Sequence, residues 1–249
     1  MIMNLKGKTA IITGSTGQLA RTIVLSLAQS GSNCICIYNK NTPAAKKLQT
    51  DLKKLKVKSL FIQTDLTTEK NIEKTFAEIK KFPAPQILIN AAAVFDKKPI
   101  AELTFDYIRH TLDINFTVPM IMTQKFIDFV QRKIKSRQKP LAKIINITDI
   151  VAESPPAGFS IYSASKAALI AATKSLAKEL APDFTVNAVS PGIINFRKGT
   201  SAELKKRILS HIPAGRTGSP DEVAAAVKFL IENDYLTGQV LNIDGGRTI

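Results

Sequence analysis

The sequence predicts an α/β fold in which seven strands form a parallel, doubly wound sheet with helices on both faces. Seven short apolar runs recur along the 249 residues, and segments with helical spacing of apolar residues separate them. The runs are apolar throughout and do not alternate with polar residues, which is typical of strands buried on both faces. A hydrophobic content of 45% can fill the core of one domain over residues 1–249.

The first half of the chain contains four predicted strands and three predicted helices. The strands span Thr9–Thr13, Asn33–Tyr38, Lys58–Gln63 and Gln86–Asn90. The helices span about Gln18–Ser30, Pro43–Leu55 and Thr68–Lys81. Because each strand is followed by a helix, successive strands are expected to run parallel.

The second half continues the same alternation. Helical periodicity covers Phe105–Lys135 with a break near Asp113, and strands follow at Ile144–Thr148, Thr185–Ser190 and Gln239–Ile243. A helix begins near Ser160 and runs through Tyr162, and further helices span Ala202–Ser210 and Pro220–Glu232. The whole pattern predicts a doubly wound sheet, in which ligands bind beyond the carboxyl ends of the strands.

The net charge of +15 invites comparison with nucleic-acid-binding proteins. The densest basic cluster lies where a helix ends, a place that favours cations, and it comprises Arg132, Lys133, Lys135, Arg137 and Lys139. Aromatic residues that could stack on bases do not interleave with it. We therefore expect no nucleic-acid partner, and instead an attraction for anionic small molecules.

Other features argue against membrane and metal functions. Apolar stretches stay well short of the 18 or so residues that a membrane span needs, and the N-terminus lacks the layout of a signal peptide. Cys34 and Cys36 are expected to be buried thiols, and two separated histidines, His110 and His211, make a metal site unexpected. A cytoplasmic protein is predicted.

Residues 146–166 contain the first candidate for chemistry. Tyr162 and Lys166 lie four residues apart, so a helix places them one turn apart on the same face. A phenol beside a fixed ammonium ionises more readily than its ordinary pKa suggests, and such a tyrosine can exchange a proton near neutral pH. Taken alone, the same spacing also fits two side chains on a helix surface that have no catalytic role.

A glycine-containing turn follows the first strand and predicts a phosphate site. The turn and the start of its helix read Gly14, Ser15, Thr16, Gly17, Gln18 and Leu19. Glycine lets the backbone approach a pyrophosphate, whose charge is favoured at a helix N-terminus. A tight turn without a ligand is the alternative, but its position after the first strand favours a dinucleotide.

The end of the second strand indicates which dinucleotide is bound. An NAD enzyme usually carries an acid here for the ribose hydroxyls, whereas this chain reads Asn39, Lys40, Asn41 and has no acidic residue before Asp51. Lys40, with Lys46 or Lys47 nearby, would attract a 2′-phosphate. The sequence therefore predicts NADP(H) as the cofactor.

The ordered set of motifs resembles the short-chain dehydrogenase/reductase family over the whole chain. The set comprises the glycine turn, Asp65-Leu66, Asn90-Ala91-Ala92, Asn115, Tyr162-x-x-x-Lys166 and Pro191-Gly192. The resemblance implies a Rossmann fold with Tyr162 as proton donor, Lys166 on the nicotinamide ribose and Asn115 holding a relay water. It also implies that Asp65 contacts the adenine, and that Leu66, Asn90, Ala91, Ala92, Pro191, Gly192 and Ile194 help to form the cofactor site.

Two departures from the family pattern narrow the expected substrate. Gln18 and Ala20 stand where the family usually has glycines, and Asp149 replaces the usual catalytic serine thirteen residues before Tyr162. An ionised carboxylate cannot donate to a carbonyl oxygen and would oppose the negative charge that develops there. The Asp149-Tyr162-Lys166 set is similar to the pteridine reductase branch, which implies hydride transfer to a ring C=N bond and a pterin-like substrate.

The resemblance leaves three functions open. In the pteridine reductase that it favours, Asp149 and Tyr162 handle the proton and Phe95, or Val94 if no insertion is allowed, packs on the pterin. The alternatives are a carbonyl reductase such as a 3-oxoacyl-(acyl-carrier-protein) reductase, and a non-catalytic NADP-binding protein. A homotetramer is also implied, with pairing through Phe105–Val130, Ala167–Ala177 and the Leu241–Ile249 tail.

Overall fold

The computed structural model describes residues 3–133, 140–196 and 199–249. Its sheet has seven parallel strands in the order β3-β2-β1-β4-β5-β6-β7. The strands are β1 Thr9–Thr13, β2 Asn33–Tyr38, β3 Ser59–Gln63, β4 Ile87–Asn90, β5 Ala142–Ile147, β6 Phe184–Pro191 and β7 Val240–Ile243. The predicted doubly wound sheet is confirmed.

Eight α-helices connect the strands in the part of the chain that the structure describes. They are α1 Gln18–Gln29, α2 Thr42–Lys54, α3 Glu69–Ile79, α4 Phe105–Leu112, α5 Val118–Lys133, α6 Ser160–Glu179, α7 Ala202–Leu209 and α8 Pro220–Glu232. The predicted extension to Lys135, and with it Arg137 and Lys139 of the basic cluster, lies outside the described residues. Short 3₁₀ turns at Ile100–Glu102 and Ile150–Ala152 were not predicted, because three residues carry too little periodicity.

The strands bury both of their faces because successive side chains point to opposite sides of the sheet. Ile12 and its neighbours face a layer formed by α1, α2 and α8. Ile11, one residue away, faces the opposite layer, which α3, α5 and the end of α6 form. Cys34 and Cys36 are free thiols buried in the first layer, as the sequence predicts. Within the described residues, no helix is long and apolar enough to cross a membrane.

The connections that follow β1 and β4 border the crevice in which a ligand is expected to bind. β1 pairs with β2 on one side and with β4 on the other, so the chain order reverses between β1 and β4. The Thr13 hydroxyl at the end of β1 accepts hydrogen bonds from the backbone N–H groups of Ala91 and Ala92, each at 3.0 Å. These bonds fix the loop after β4 against β1 at the topological switch point, where open α/β sheets bind their ligands.

A π-helical turn, Asp113–Thr117, separates α4 from α5 at the break that the sequence predicts. π turns inside helices are uncommon and occur frequently at functional sites. This one holds Asn115, whose side chain is fully buried.

Candidate active site

A cleft of about 420 Å³ opens at the switch point between β1 and β4, where the order of the strands in the sheet reverses. Much of its wall comes from the predicted cofactor residues Gly14, Thr16, Gly17, Asn39, Lys40, Asn41, Asp65, Leu66, Ala91 and Ala92. The rest of the wall comes from Val94, which the sequence offered only as an alternative substrate residue, and from residues that sequence reasoning missed: Ile37, Tyr38, Thr64, Ala93, His110, Ile114 and Val118. His110, Ile114 and Val118 recur every four residues, so their helical spacing on one face is the signal that could have found them.

The turn after β1 is built to let a ligand approach the backbone closely. Gly14 has a φ of +65°, and a Cβ atom there would lie 2.7 Å from the Ala92 Cα atom. Gly17 precedes the first residue of α1 and has no side chain to occupy the helix N-terminus. The open N–H groups and the dipole of α1 suit a pyrophosphate, so these residues fit a dinucleotide cofactor.

The far end of the cleft carries a mixture of charges. Asn39, Lys40 and Asn41 are exposed at the end of β2. Asp65 lies across the cleft, and a hydrogen bond from the Thr67 N–H is the main cause that lowers the pKa of Asp65. The charges of His110 and Lys40 act in the same direction.

The predicted catalytic tyrosine and aspartate are in direct contact. The Tyr162 hydroxyl donates to Asp149 Oδ2 at 2.9 Å, and the Val151 N–H donates to Asp149 Oδ1 at 3.0 Å. The Tyr162 side chain is only 4% exposed. Burial raises the pKa of Asp149 above its usual value, even though both hydrogen bonds and the charges of Lys166 and Arg247 oppose this shift. The carboxyl group therefore stays neutral to a higher pH than a surface aspartate.

Lys166 lies one helical turn from Tyr162, as its spacing predicts. Its ammonium group donates to the Ile147 carbonyl at 2.9 Å and lies 5.8 Å from the centre of the Tyr162 ring. Burial lowers the pKa of Lys166 to about 8, and Asp149 partly offsets this effect. At neutral pH the lysine is still mostly protonated, so a positive charge lies beside the phenol.

Asn115 joins three elements of the site. Its amide accepts from the Val94 N–H at 2.9 Å and donates to the Val94 carbonyl at 3.0 Å. It also donates to the Ser165 hydroxyl at 3.1 Å, and Ser165 in turn donates to the Tyr162 carbonyl at 2.6 Å. The π turn thus couples the loop after β4 to the catalytic helix α6.

Aromatic rings cover the side of Tyr162. The Phe95 ring lies 4.6 Å from the Tyr162 ring, measured between centroids, and 5.0 Å from the Phe159 ring, on which it stacks. Phe95 was predicted as a substrate residue, with Val94 as the alternative. The Val94 backbone is hydrogen-bonded to Asn115, and Val94 lines the cleft. Phe159 was missed because it is far from Phe95 in the sequence, and only the fold brings the two loops together.

The other predicted cofactor residues are not part of this lining: Ser15, Gln18, Leu19, Asn90, Tyr162, Lys166, Pro191, Gly192 and Ile194. Asn90 is buried, and its amide donates to Asn146 Oδ1 at 2.9 Å, which ties β4 to β5. The Ser15 hydroxyl donates to the Ile37 carbonyl at 3.1 Å. A Cβ atom at Gly192 would lie 2.8 Å from Asp244, so this glycine lets the tail pack on β6.

Comparison with known proteins finds a matching family model, named relatives and similar solved structures. A family model described as Enoyl-(Acyl carrier protein) reductase matches residues 15–248. The 3-oxoacyl-(acyl-carrier-protein) reductase FabG of Aquifex aeolicus is 35% identical over 252 residues, covering 99% of this chain and 99% of that protein. A short-chain dehydrogenase/reductase from Serratia marcescens has a TM-score of 0.89 at 27% identity, covering 99% of this chain and 100% of that chain.

A second solved structure resembles the chain and holds a cofactor. It is a blue fluorescent protein from a metagenomic library in complex with NADPH, with a TM-score of 0.88 at 28% identity. The match covers 99% of this chain and 100% of that chain.

These relatives correct the substrate expected from the sequence. The expectation of a pteridine reductase is wrong, because full-length relatives bear the name of the carbonyl-reductase alternative. The pterin was expected because an ionised Asp149 would oppose a carbonyl oxyanion. In the structure burial raises the pKa of Asp149, so the carboxyl group keeps its proton to a higher pH than a surface aspartate and this objection to a carbonyl substrate is weaker.

Fold, site and relatives lead to the same family. The sheet order places the glycine turn, Asn115 and the Tyr162-Lys166 pair around one edge, as the ordered motifs predict. The family match extends over nearly the whole chain, and the solved structures share the full sheet. The chain therefore belongs to the short-chain dehydrogenase/reductase family of oxidoreductases.

Proposed function

We propose that this protein is an NADPH-dependent carbonyl reductase that converts 3-oxoacyl thioesters into 3-hydroxyacyl thioesters. The observation that carries the proposal is the 2.9 Å hydrogen bond from Tyr162 to a half-buried Asp149, with the Lys166 ammonium group 5.8 Å from the centre of the Tyr162 ring. The name of the Aquifex aeolicus relative supports a 3-oxoacyl thioester as the substrate class.

The cofactor would lie in the cleft at the switch point. Gly14, Thr16 and Gly17 would hold the pyrophosphate at the N-terminus of α1, and Asp65 would lie near the adenine. Lys40 would attract a 2′-phosphate, which supports NADP(H) over NAD(H). When bound, the nicotinamide supplies the hydride that reduces the 3-oxo carbon.

Tyr162 would supply the proton that the reduced oxygen needs. The ketone oxygen gains negative charge as the carbonyl carbon is reduced, and the Tyr162 hydroxyl transfers its proton to that oxygen to give the alcohol. The Lys166 charge stabilises the phenolate that remains, since its ammonium lies close to the ring. We expect Asn115 to hold the water through which Tyr162 regains a proton.

Asp149 would take the part that a serine hydroxyl usually plays. A neutral carboxyl group donates a hydrogen bond to a developing oxyanion, as a hydroxyl group does. Desolvation favours the neutral form at this position. In its neutral form Asp149 would add a second donor for the carbonyl oxygen beside the Tyr162 hydroxyl, whose own hydrogen bond to Asp149 Oδ2 at 2.9 Å would then give way to one with the carbonyl oxygen.

The proposal is tested by following NADPH oxidation by absorbance, with acetoacetyl thioester as substrate. We expect turnover of the thioester, and a loss of about 10²-fold to 10⁴-fold in kcat for Tyr162→Phe, which lacks the proton to donate. The affinity of the variant for NADPH, measured by fluorescence titration, checks that the cleft is intact. Absence of thioester reduction by wild-type protein that binds NADPH would refute the proposal.

A further inference from the structure

The rings of Phe95 and Phe159 form a rigid pair on the open side of Tyr162. Their planes are 22° apart with centroids 5.0 Å apart, so they are stacked. Phe95 also contacts the Tyr162 ring at 53°, which fixes the Phe95 ring from a second direction. Aromatic pairs with these spacings are favourable beyond the apolar area that they bury.

The two loops that carry these rings are tied to each other. The Lys98 N–H donates to the Gly158 carbonyl at 2.7 Å. Gly158 has a φ of +83°, and a Cβ atom there would lie 2.9 Å from the Lys97 side chain. The loop after β4 and the loop before α6 thus meet at one point, which holds the ring pair beside the catalytic hydroxyl.

One part of this pair remains open to solvent. Phe95 is 44% exposed, although one of its faces is stacked on Phe159. Tyr162, immediately behind it, is only 4% exposed. A substrate whose carbonyl oxygen reaches the Tyr162 hydroxyl would bring its neighbouring carbon atoms close to Phe95, since the Phe95 ring lies 4.6 Å from the Tyr162 ring.

We propose that Phe95 and Phe159 form an apolar platform that binds the acyl chain and selects medium-chain over short-chain 3-oxoacyl thioesters. This inference rests on the proposed function for its substrate class. A chain that extends across the platform removes apolar surface of the ring and of its own methylene groups from water. Each methylene group that becomes buried strengthens binding about twofold to fourfold, where full burial gives the upper value.

The experiment compares unsubstituted acyl thioesters with their 3-oxo counterparts, both with chains of four, six and eight carbons. Binding of butyryl, hexanoyl and octanoyl pantetheine thioesters to the NADP⁺-loaded protein is measured by calorimetry. We expect Kd to fall about twofold to fourfold per methylene, and kcat/KM of the 3-oxo compounds to rise with the same slope. A wild-type protein with no dependence on chain length would overturn the platform.

Variants then test whether Phe95 and Phe159 cause the dependence on acyl chain length. Phe95→Ala should flatten both slopes, Phe159→Ala should weaken them because Phe95 loses its support, and Phe95→Leu should retain most of the gradient. Phe229→Ala is the matched control: this ring on α8 is 53% exposed and should leave both slopes unchanged. If both slopes persist in Phe95→Ala and in Phe159→Ala, the acyl chain binds elsewhere and the platform is refuted. A binding gradient without reduction would leave the platform intact and refute the proposed function alone.

Discussion

At the scale of single residues, the surroundings of Asp149 decide which chemistry it supports. An exposed aspartate is ionised at neutral pH and would repel a carbonyl oxyanion. Here burial raises its pKa, against the opposing effects of Val151, Tyr162, Lys166 and Arg247. The carboxyl group therefore keeps its proton, and with it the ability to donate a hydrogen bond, to a higher pH than an exposed aspartate does, which residue type alone did not indicate.

Asp149 should make the reaction rate depend on pH, and replacing its carboxyl group with a neutral amide should remove this dependence. A raised pKa means that Asp149 is neutral below this value, so the wild-type kcat/KM should decrease as the pH rises through it, by up to about tenfold per unit. Asp149→Asn keeps a donor at every pH, so its kcat/KM should show no decrease at the pKa of Asp149. The wild-type protein loses activity again as the pH passes the Lys166 pKa of about 8, and in Asp149→Asn this second loss should begin at a lower pH, because Asp149 raises the pKa of Lys166.

The matched control is Asp149→Ser, which restores the hydroxyl that the family usually has here. It should behave as Asp149→Asn does, with kcat/KM for acetoacetyl thioester within about tenfold of the wild-type maximum. Identical pH–rate profiles for all three proteins below pH 8 would show that Asp149 does not take part.

Lys40 should determine the preference between the two cofactors. Lys40→Asp replaces a cation with an anion beside the expected 2′-phosphate, and a repulsive contact near a protein surface costs about 4 kcal/mol before screening. We expect NADPH affinity to fall by at least tenfold while NADH affinity changes little, as measured by fluorescence titration. Lys46→Asp on α2 tests whether a nearby charge has the same effect. Tighter binding of NADH than NADPH by wild-type protein would contradict the assignment.

At the scale of elements, the π turn Asp113–Thr117 connects the loop after β4 with helix α6. Asn115 binds both backbone groups of Val94 and the Ser165 hydroxyl, so the turn holds the loop after β4 against α6. Phe95 follows Val94 directly, which means that the platform beside Tyr162 depends on the same turn.

Asn115→Ala should weaken both the fold and the site. The substitution leaves polar groups of Val94 and Ser165 without their partner, at a cost of about 1–3 kcal/mol in the free energy of unfolding. Urea unfolding measures this loss, and KM for the 3-oxoacyl thioester should rise as the Val94-Phe95 segment loosens. An unchanged unfolding midpoint together with an unchanged KM would show that the loop is held by other contacts.

At the scale of the whole molecule, apolar side chains remain on the surfaces where the resemblance predicts pairing. Phe105 at the start of α4 is 86% exposed, and Ile249 at the end of the tail is fully exposed. Burying such faces between copies of the chain is the usual route to symmetric oligomers. The homotetramer stays a prediction, as do the single-domain assignment and the cytoplasmic location.

Light scattering coupled to size exclusion should give a mass about four times the 27.2 kDa of one chain. Phe105→Asp should shift the protein toward smaller species, because it places a charge in the expected interface. Lys178→Asp, at the last turn of α6, is a control for a change of charge outside the predicted pairing surfaces. A wild-type mass of one chain at micromolar concentration would contradict the prediction.

The sequence by itself determined the fold, the family and the order of the motifs. Apolar runs fixed the strands because buried parallel strands need continuous apolar residues. Spacing fixed Tyr162 and Lys166 on one helical face, and the glycine turn marked the phosphate end of the cleft. These signals are local, and each is carried by residues close together in the chain.

Only the tertiary structure decided the direction in which the pKa of Asp149 shifts, the pairing of Phe95 with Phe159, and the role of Asn90 as a tie between strands. Each depends on groups from distant segments that meet at one edge of the sheet. A pKa reflects how much water surrounds a group, and a ring stack reflects which loops the fold brings together. Sequence spacing contains neither quantity, which is why the fold could be predicted from the sequence and these features of the site could not.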